Sequence, residues 1–93
     1  MSTDFTRPTP FSRTFVQSVP ESAGTYQLFD RTGAVLFVGS AAEGRLRQKL
    51  MAHVERQDVP DVSTFTYKLH YSESAANRDR DDLVAMLMPR YNS

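Results

Sequence analysis

The stretch GTYQLFDRTGAVLFVGS, Gly24 to Ser40, decides the fold. Two short runs of strand-forming residues, TYQLF (25–29) and AVLFV (34–38), flank DRTG (30–33). Aspartate opens a type I turn by accepting nearby backbone N–H groups, and Gly33 can take the positive φ that closes it. The segment therefore reads as a β-hairpin. It has one oddity. The first run carries Gly-Thr-Tyr (24–26) and the second Phe-Val-Gly (37–39), an inverted symmetry that a hairpin alone does not require. The second run is apolar on both faces, which points to a strand in the middle of a sheet.

Working outward, residues 1–12 are rich in Ser, Thr and Pro, and Pro8 and Pro10 oppose regular structure, so this segment reads as a flexible arm before a single domain spanning 13–93. Phe15, Val16 and Val19 have roughly helical spacing and Pro20 stops them, which suits one helical turn or an edge segment. Residues 40–57 read as a helix: Leu46, Leu50 and Val54 form an i, i+4, i+8 stripe with Met51 beside it. Arg45, Lys49 and His53 form a second row at the same spacing, and Gly44 leaves the first turn open. After a loop at 58–63, TFTYKLHYS (64–72) alternates, with Phe65, Tyr67, Leu69 and Tyr71 on one face and Thr66, Lys68 and His70 on the other, as a half-buried strand should. Ser72 is a natural N-cap for a last helix, whose apolar residues Leu83, Val84, Met86 and Leu87 fall in its second half before Pro89. The order is β-β-α-β-α: an α+β domain with a small antiparallel or mixed three-stranded sheet flanked by helices.

The 93 residues suit one domain with a modest core, and 40% apolar and 24% charged residues are ordinary for a globular chain. The absence of cysteine excludes a disulfide scaffold and Cys-ligated zinc. Eleven basic residues balance eleven acidic ones, so net charge gives no push toward nucleic acid; one short basic cluster, Arg45, Arg47 and Lys49, is the candidate for phosphate contact. No apolar run reaches membrane-spanning length and the N-terminus lacks an apolar signal-peptide core, so a soluble cytoplasmic protein is expected, with no membrane partner.

Three motifs at this spacing, GTY (24–26), FVG (37–39) and PRYN (89–92), together with the β-β-α-β-α order, resemble the GIY-YIG nuclease superfamily, most closely the N-terminal nuclease domain of the bacterial excision-repair nuclease. The resemblance covers residues 19–92. It implies metal-assisted phosphodiester hydrolysis, in which a tyrosine serves as base or positions water, an arginine stabilises the growing phosphate charge, and a glutamate holds one magnesium or manganese ion. Carried onto this chain, the first-motif tyrosine is Tyr26 and the motif glycines are Gly24 and Gly39. The second-motif tyrosine falls on Phe37, which has no hydroxyl. The helix arginine falls on Lys49 when the leucines are kept in register, or on Arg47 in a gapless count. Lysine keeps the charge and loses the bidentate fork. His53 matches a Tyr or His one turn later, and Arg90 and Asn92 belong to the terminal motif.

The metal-binding glutamate falls on Arg80, counting back from Pro89, and a guanidinium repels a divalent ion. Asp79 and Asp81 are weak substitutes because neighbouring helix positions point about 100° apart. Glu73 matches a different, non-catalytic acidic position. Three readings stay open. The first is a GIY-YIG-like domain with an eroded site and no cofactor, binding nucleic acid or a protein partner. The second is a Mg- or Mn-dependent endonuclease with a rearranged site. The third is a structural or protein-interaction domain. The plainer alternatives are cross-strand packing for Tyr26 and Phe37, solvent exposure for Arg45, Arg47, Lys49 and His53, a charged helix surface for NRDRDD (77–82), and a domain-closing role for Asn92. A His53–His70 metal pair lacks motif spacing. Oligomeric state is not encoded in any of these features.

Overall fold

A computed structural model describes residues 5–92. In chain order the elements are β1 (Thr9–Pro10), α1 (Arg13–Val16), β2 (Ala23–Phe29), β3 (Val35–Ala41), α2 (Leu46–Arg56), β4 (Thr64–His70) and α3 (Glu73–Leu87). The strands form one antiparallel sheet in the order β1-β4-β2-β3. The hairpin is as expected. Asp30 Oδ1 accepts hydrogen bonds from the Thr32 and Ala34 amides at 2.8 and 3.0 Å, and Gly33 sits at φ +90°.

Three expectations are corrected. The sheet has four strands, because part of the lead-in expected to lie loose is a short edge strand. Thr9 and Pro10 pair with Phe65 and Thr64, the Thr6 amide donates to the Tyr67 carbonyl at 2.9 Å, and the Phe11 ring meets Phe65 edge-on at 6.1 Å. Proline is tolerated there because an outermost strand has one side that needs no donor. The remainder of the expected arm, residues 1–4, lies outside the described residues.

The second correction concerns β3, which is an outer strand and not a central one. It is apolar on both faces because a helix covers each face. Its free edge is closed by the C-terminal segment. The Tyr91 amide donates to the Leu36 carbonyl at 2.9 Å, while the Asn92 side-chain amide pairs with Val38 like a peptide group, accepting from its N–H at 2.7 Å and donating to its carbonyl at 2.8 Å. Thirdly, α2 starts at Leu46: Ser40 and Ala41 continue β3, and Gly44, at φ +78°, makes the intervening turn.

Alternation along β2 assigns the two faces. Tyr26 meets His53 of α2, so Gly24, Tyr26 and Leu28 face α2. Thr25 bonds Asp79 of α3, so Thr25 and Gln27 face α3. The core lies on the α2 side, where Leu28, Leu46, Leu50, Phe65, Val16 and Val19 are fully buried. Burying each such side chain stabilises by about 2 kcal/mol. Val54 and Met51 pack against this core from its margin. On β4 the alternation fades outward: Phe65 is buried, Tyr67 half-buried, and Leu69 and Tyr71 exposed. Helix α3, N-capped by Ser72 as expected, buries only Ala76, and Met86 and Leu87 stand exposed.

The register explains the inverted symmetry. Tyr26 pairs directly with Gly39, and Gly24 with Ala41. A side chain on Gly39 would fall on the Tyr26 ring and hydroxyl. A Cβ on Gly24 would stand 2.6 Å from the Lys68 carbonyl oxygen and 3.0 Å from Leu46 at the start of α2. Each glycine is a hole that a large neighbour fills. Gly39→Ala is therefore expected to destabilise the domain by about 2 kcal/mol through overpacking, measured as a lower midpoint in urea. An unchanged midpoint would show that the Tyr26 ring is not held there.

Candidate functional site

The edge of β3 forms the floor of a cleft of about 340 Å³, with Lys49 of α2 on one side and Arg80, Asp81 and Val84 of α3 on the other. Tyr26, Phe37 and Asn92 complete its lining. Folding thus gathers Tyr26, Phe37, Gly39, Lys49, Arg80 and Asn92 from five segments of the chain. Arg47 does not join them. Its Nε donates to the Val19 carbonyl at 2.7 Å and its Nη1 pairs with Glu21 at 2.7 Å, on a separate hollow across α2. Arg45 lies farther along the groove, bonded to the neutral Gln48. Arg90 stacks beside the Tyr91 ring, its guanidinium 5.7 Å from the ring centre.

At the inner end of the cleft the Tyr26 oxygen lies 2.7 Å from His53 Nε2, and His53 Nδ1 lies 2.8 Å from Asp58 Oδ1. A carboxylate can only accept, so Asp58 holds a proton on Nδ1; in the neutral ring Nε2 then accepts from the Tyr26 hydroxyl. Burial pushes the Tyr26 phenol well above its ordinary value, the Asp58 charge adds to that rise, and Arg80 opposes it, so the phenol is protonated at neutral pH. Burial would raise Asp58, but the hydrogen bond and charge of His53 outweigh it and hold the carboxyl below its usual range. The Phe37 ring packs 6.1 Å from Tyr26 and 5.2 Å from His53, completing an aromatic trio. Asp58 carries no motif that sequence reasoning could have used. It sits in a loop five residues after His53, and only the left-handed C-cap at Gln57 turns the chain back toward the ring.

On the opposite wall Arg80 Nη1 donates to Ser40 Oγ at 3.0 Å, and Ser40 Oγ donates to Asn77 Oδ1 at 2.6 Å. Arg80 Nε and Nη2 both reach Asp81 Oδ1, at 3.1 and 2.9 Å. The Lys49 ammonium makes no ion pair or side-chain hydrogen bond among the described residues.

Neither aspartate weighed as a metal ligand is free to serve. Asp79 faces away from the cleft, where Thr25 Oγ1 at 3.0 Å, Lys68 Nζ at 3.1 Å and His70 Nε2 at 3.1 Å converge on one oxygen. Asp81 is bridged by the guanidinium and is the one carboxylate among the described residues lining the cleft. No group of three or more potential ligands occurs among the described residues, and His53 and His70 belong to separate clusters. Hard divalent ions need carboxylate oxygens, and two fixed cations face this space. The side chains present do not fit a divalent ion. Arg80→Glu would replace the cation with a carboxylate beside Asp81. That variant is expected to bind Mn²⁺ by electron paramagnetic resonance at concentrations where the unaltered protein does not, and equal affinity would contradict the assignment.

Asp79 instead ties β2 and β4 to α3. Burial would raise its carboxyl, but the bonds from Lys68 and Thr25, the Lys68 charge and the His70 bond outweigh it and hold it below its ordinary value. The unfolded chain, with a carboxyl near the ordinary value of about 3.9, therefore takes up the extra proton first. The stabilisation is complete above that value and is lost as pH falls through the lower folded value. Asp79→Asn is expected to cost about 2 kcal/mol at neutral pH and to flatten part of the fall in thermal midpoint below a pH of about 4. A variant that keeps the full acid dependence would assign that dependence elsewhere.

The same arrangement of strands and helices occurs in known proteins. The chain is 32% identical over 87 residues to the UvrABC system protein C of Shewanella loihica, an alignment covering 84% of this chain and 14% of that protein. The corresponding protein of Shewanella sediminis is 32% identical over 90 residues, covering 87% and 14%. The chain thus spans only a small part of these curated relatives. Among solved structures, the GIY-YIG N-terminal endonuclease domain of UvrC from Thermotoga maritima, bound to its catalytic divalent cation magnesium, superposes with a TM-score of 0.73 at 22% identity, covering 87% of this chain and 94% of that one. A point mutant of that domain bound to its catalytic divalent cation gives 0.75 at 20% identity, covering 87% and 93%. The α+β architecture and antiparallel sheet are those of this GIY-YIG domain. Residues 5–87 match the family described as Domain of unknown function (DUF7508), and the chain belongs to that family, built on the GIY-YIG fold.

Proposed function

We propose that the domain is a non-catalytic nucleic-acid-binding module that takes the phosphate backbone along the β3-edge cleft. The observation that carries this is the distribution of charge. The cleft opens into a groove of about 560 Å³ that shares Ser40, Lys49 and Arg80 with it and adds Arg45 and Arg56. Four cations face Glu73 and Asp81 alone, in a chain whose net charge is zero. A local surplus of this kind suits phosphate contacts that net charge conceals. Arg80 supports the non-catalytic part, since it stands where a metal-binding carboxylate would be needed.

A specific observation favours a second reading, an endonuclease with a rearranged site. The Tyr26–His53–Asp58 chain would let the Tyr26 hydroxyl pass its proton inward while its oxygen acted on a ligand, which is the arrangement general-base chemistry uses. One experiment separates the readings. Plasmid, branched and single-stranded DNA are incubated with magnesium and with manganese and then analysed by electrophoresis. The expected result is no cleavage, with binding that weakens steeply as salt rises and a salt slope reduced by about 1 in Lys49→Gln. Cleavage that Tyr26→Phe abolishes would establish the second reading. Intact DNA and no affinity even at low salt would leave a protein-interaction domain.

A further inference from the structure

We infer that Arg80 is a resident cation that takes a phosphate group directly, and that Asp81 is the anion this phosphate displaces. The inference rests on the nucleic-acid reading above and deepens it by naming the anchoring group and its competitor.

The Arg80 guanidinium is held by a built wall. Ser40 is buried, its hydroxyl proton is committed to Asn77, and its remaining acceptor capacity takes Nη1 of Arg80. This fixes one corner of the planar group and turns the opposite edge, Nε with Nη2, outward. That edge is the fork that matches two oxygens of a phosphate or carboxylate. Here it meets a single oxygen, Asp81 Oδ1. The Asp81 side chain is 67% exposed, and exposed ion pairs contribute only about 0–1 kcal/mol, so exchange for a better-matched anion costs little. Lys49 lines the same cleft without an ion-pair partner among the described residues, so a second cation is ready for the remaining phosphate oxygens. Because the charge is covalently part of the chain, phosphate capture needs no divalent ion. Dissolved magnesium competes with Arg80 for the phosphate.

The test measures fluorescence anisotropy with labelled single-stranded and duplex oligonucleotides, in chelator and in magnesium, alongside amide chemical-shift titration with inorganic pyrophosphate. The unaltered protein is expected to bind oligonucleotide in chelator and more weakly in magnesium. Arg80→Gln should weaken binding by about tenfold and lower the salt slope by about 1. Asp81→Asn should tighten it by about threefold, within the range of one exposed ion pair. Both positions are half-buried or exposed on a helix surface, and thermal midpoints verify that the variants fold. Oligonucleotide binding that needs magnesium, that Arg80→Gln leaves unchanged, or that Asp81→Asn weakens overturns this inference and leaves the nucleic-acid reading standing. Pyrophosphate shifts centred on Arg80 without oligonucleotide binding keep the phosphate site and overturn the nucleic-acid reading. No response to either probe overturns both.

Discussion

The Tyr26 ring lies across a strand position that has no side chain, and much of the domain is organised around that contact. The large residue and the hole face each other directly across the β2–β3 pair, with Tyr26 opposite Gly39. The ring can lie down only because the glycine leaves space, and lying down is what carries its oxygen to His53 on α2. His53 is held in turn by Asp58, beyond the C-cap of the same helix. One missing Cβ therefore sets the angle of an aromatic ring, the ring sets the register of the helix row containing Lys49 and His53, and that row becomes one wall of the cleft. Gly24 acts in the same way one step along the strand, admitting Leu46 and so fixing where α2 begins. The inverted order of the two motifs follows from antiparallel pairing: small and large positions must be mirrored across the ladder to meet.

How much of this the sequence disclosed depends on the range of the interaction. The hairpin, the Leu46–Leu50 stripe and the Ser72 cap were legible because each is written within a few residues. The status of β3 was not, because apolar residues on both faces report only that both faces are covered. Whether the strand also has two neighbours depends on where the C-terminal segment goes, and Tyr91 and Asn92 supply a few backbone-like bonds to that edge in place of a strand. The lead-in was misjudged for a related reason. Prolines forbid a central strand but permit an edge, and only the Phe11–Phe65 contact shows which applies. At the site, spacing and family resemblance chose Lys49 over Arg47, and the placement of Arg47 against Val19 and Glu21 agrees with that choice. Asp58, Ser40 and Asn77 could not be singled out. Each is an ordinary polar residue until the fold brings it to His53 or Arg80.

The two faces of the sheet handle charge differently. On the α3 side, Asp79 gathers Lys68, His70 and Thr25 in a half-buried cluster where each polar atom has a partner, and such a cluster does structural work. Along the β3 edge the cations outnumber the anions, and one of them, Lys49, is left without a partner among the described residues. Folding could have neutralised this groove as it neutralised the Asp79 cluster, since the chain has equal numbers of acids and bases. An unpaired ammonium gains nothing for the fold and a groove of like charges disfavours it slightly. The sum over the whole chain is zero because acidic residues such as Asp30, Glu21 and Glu55 are spent on turns and pairs elsewhere. The local excess is thus better explained by what the groove meets than by what the fold needs, and a phosphate-bearing partner supplies the missing negative charge.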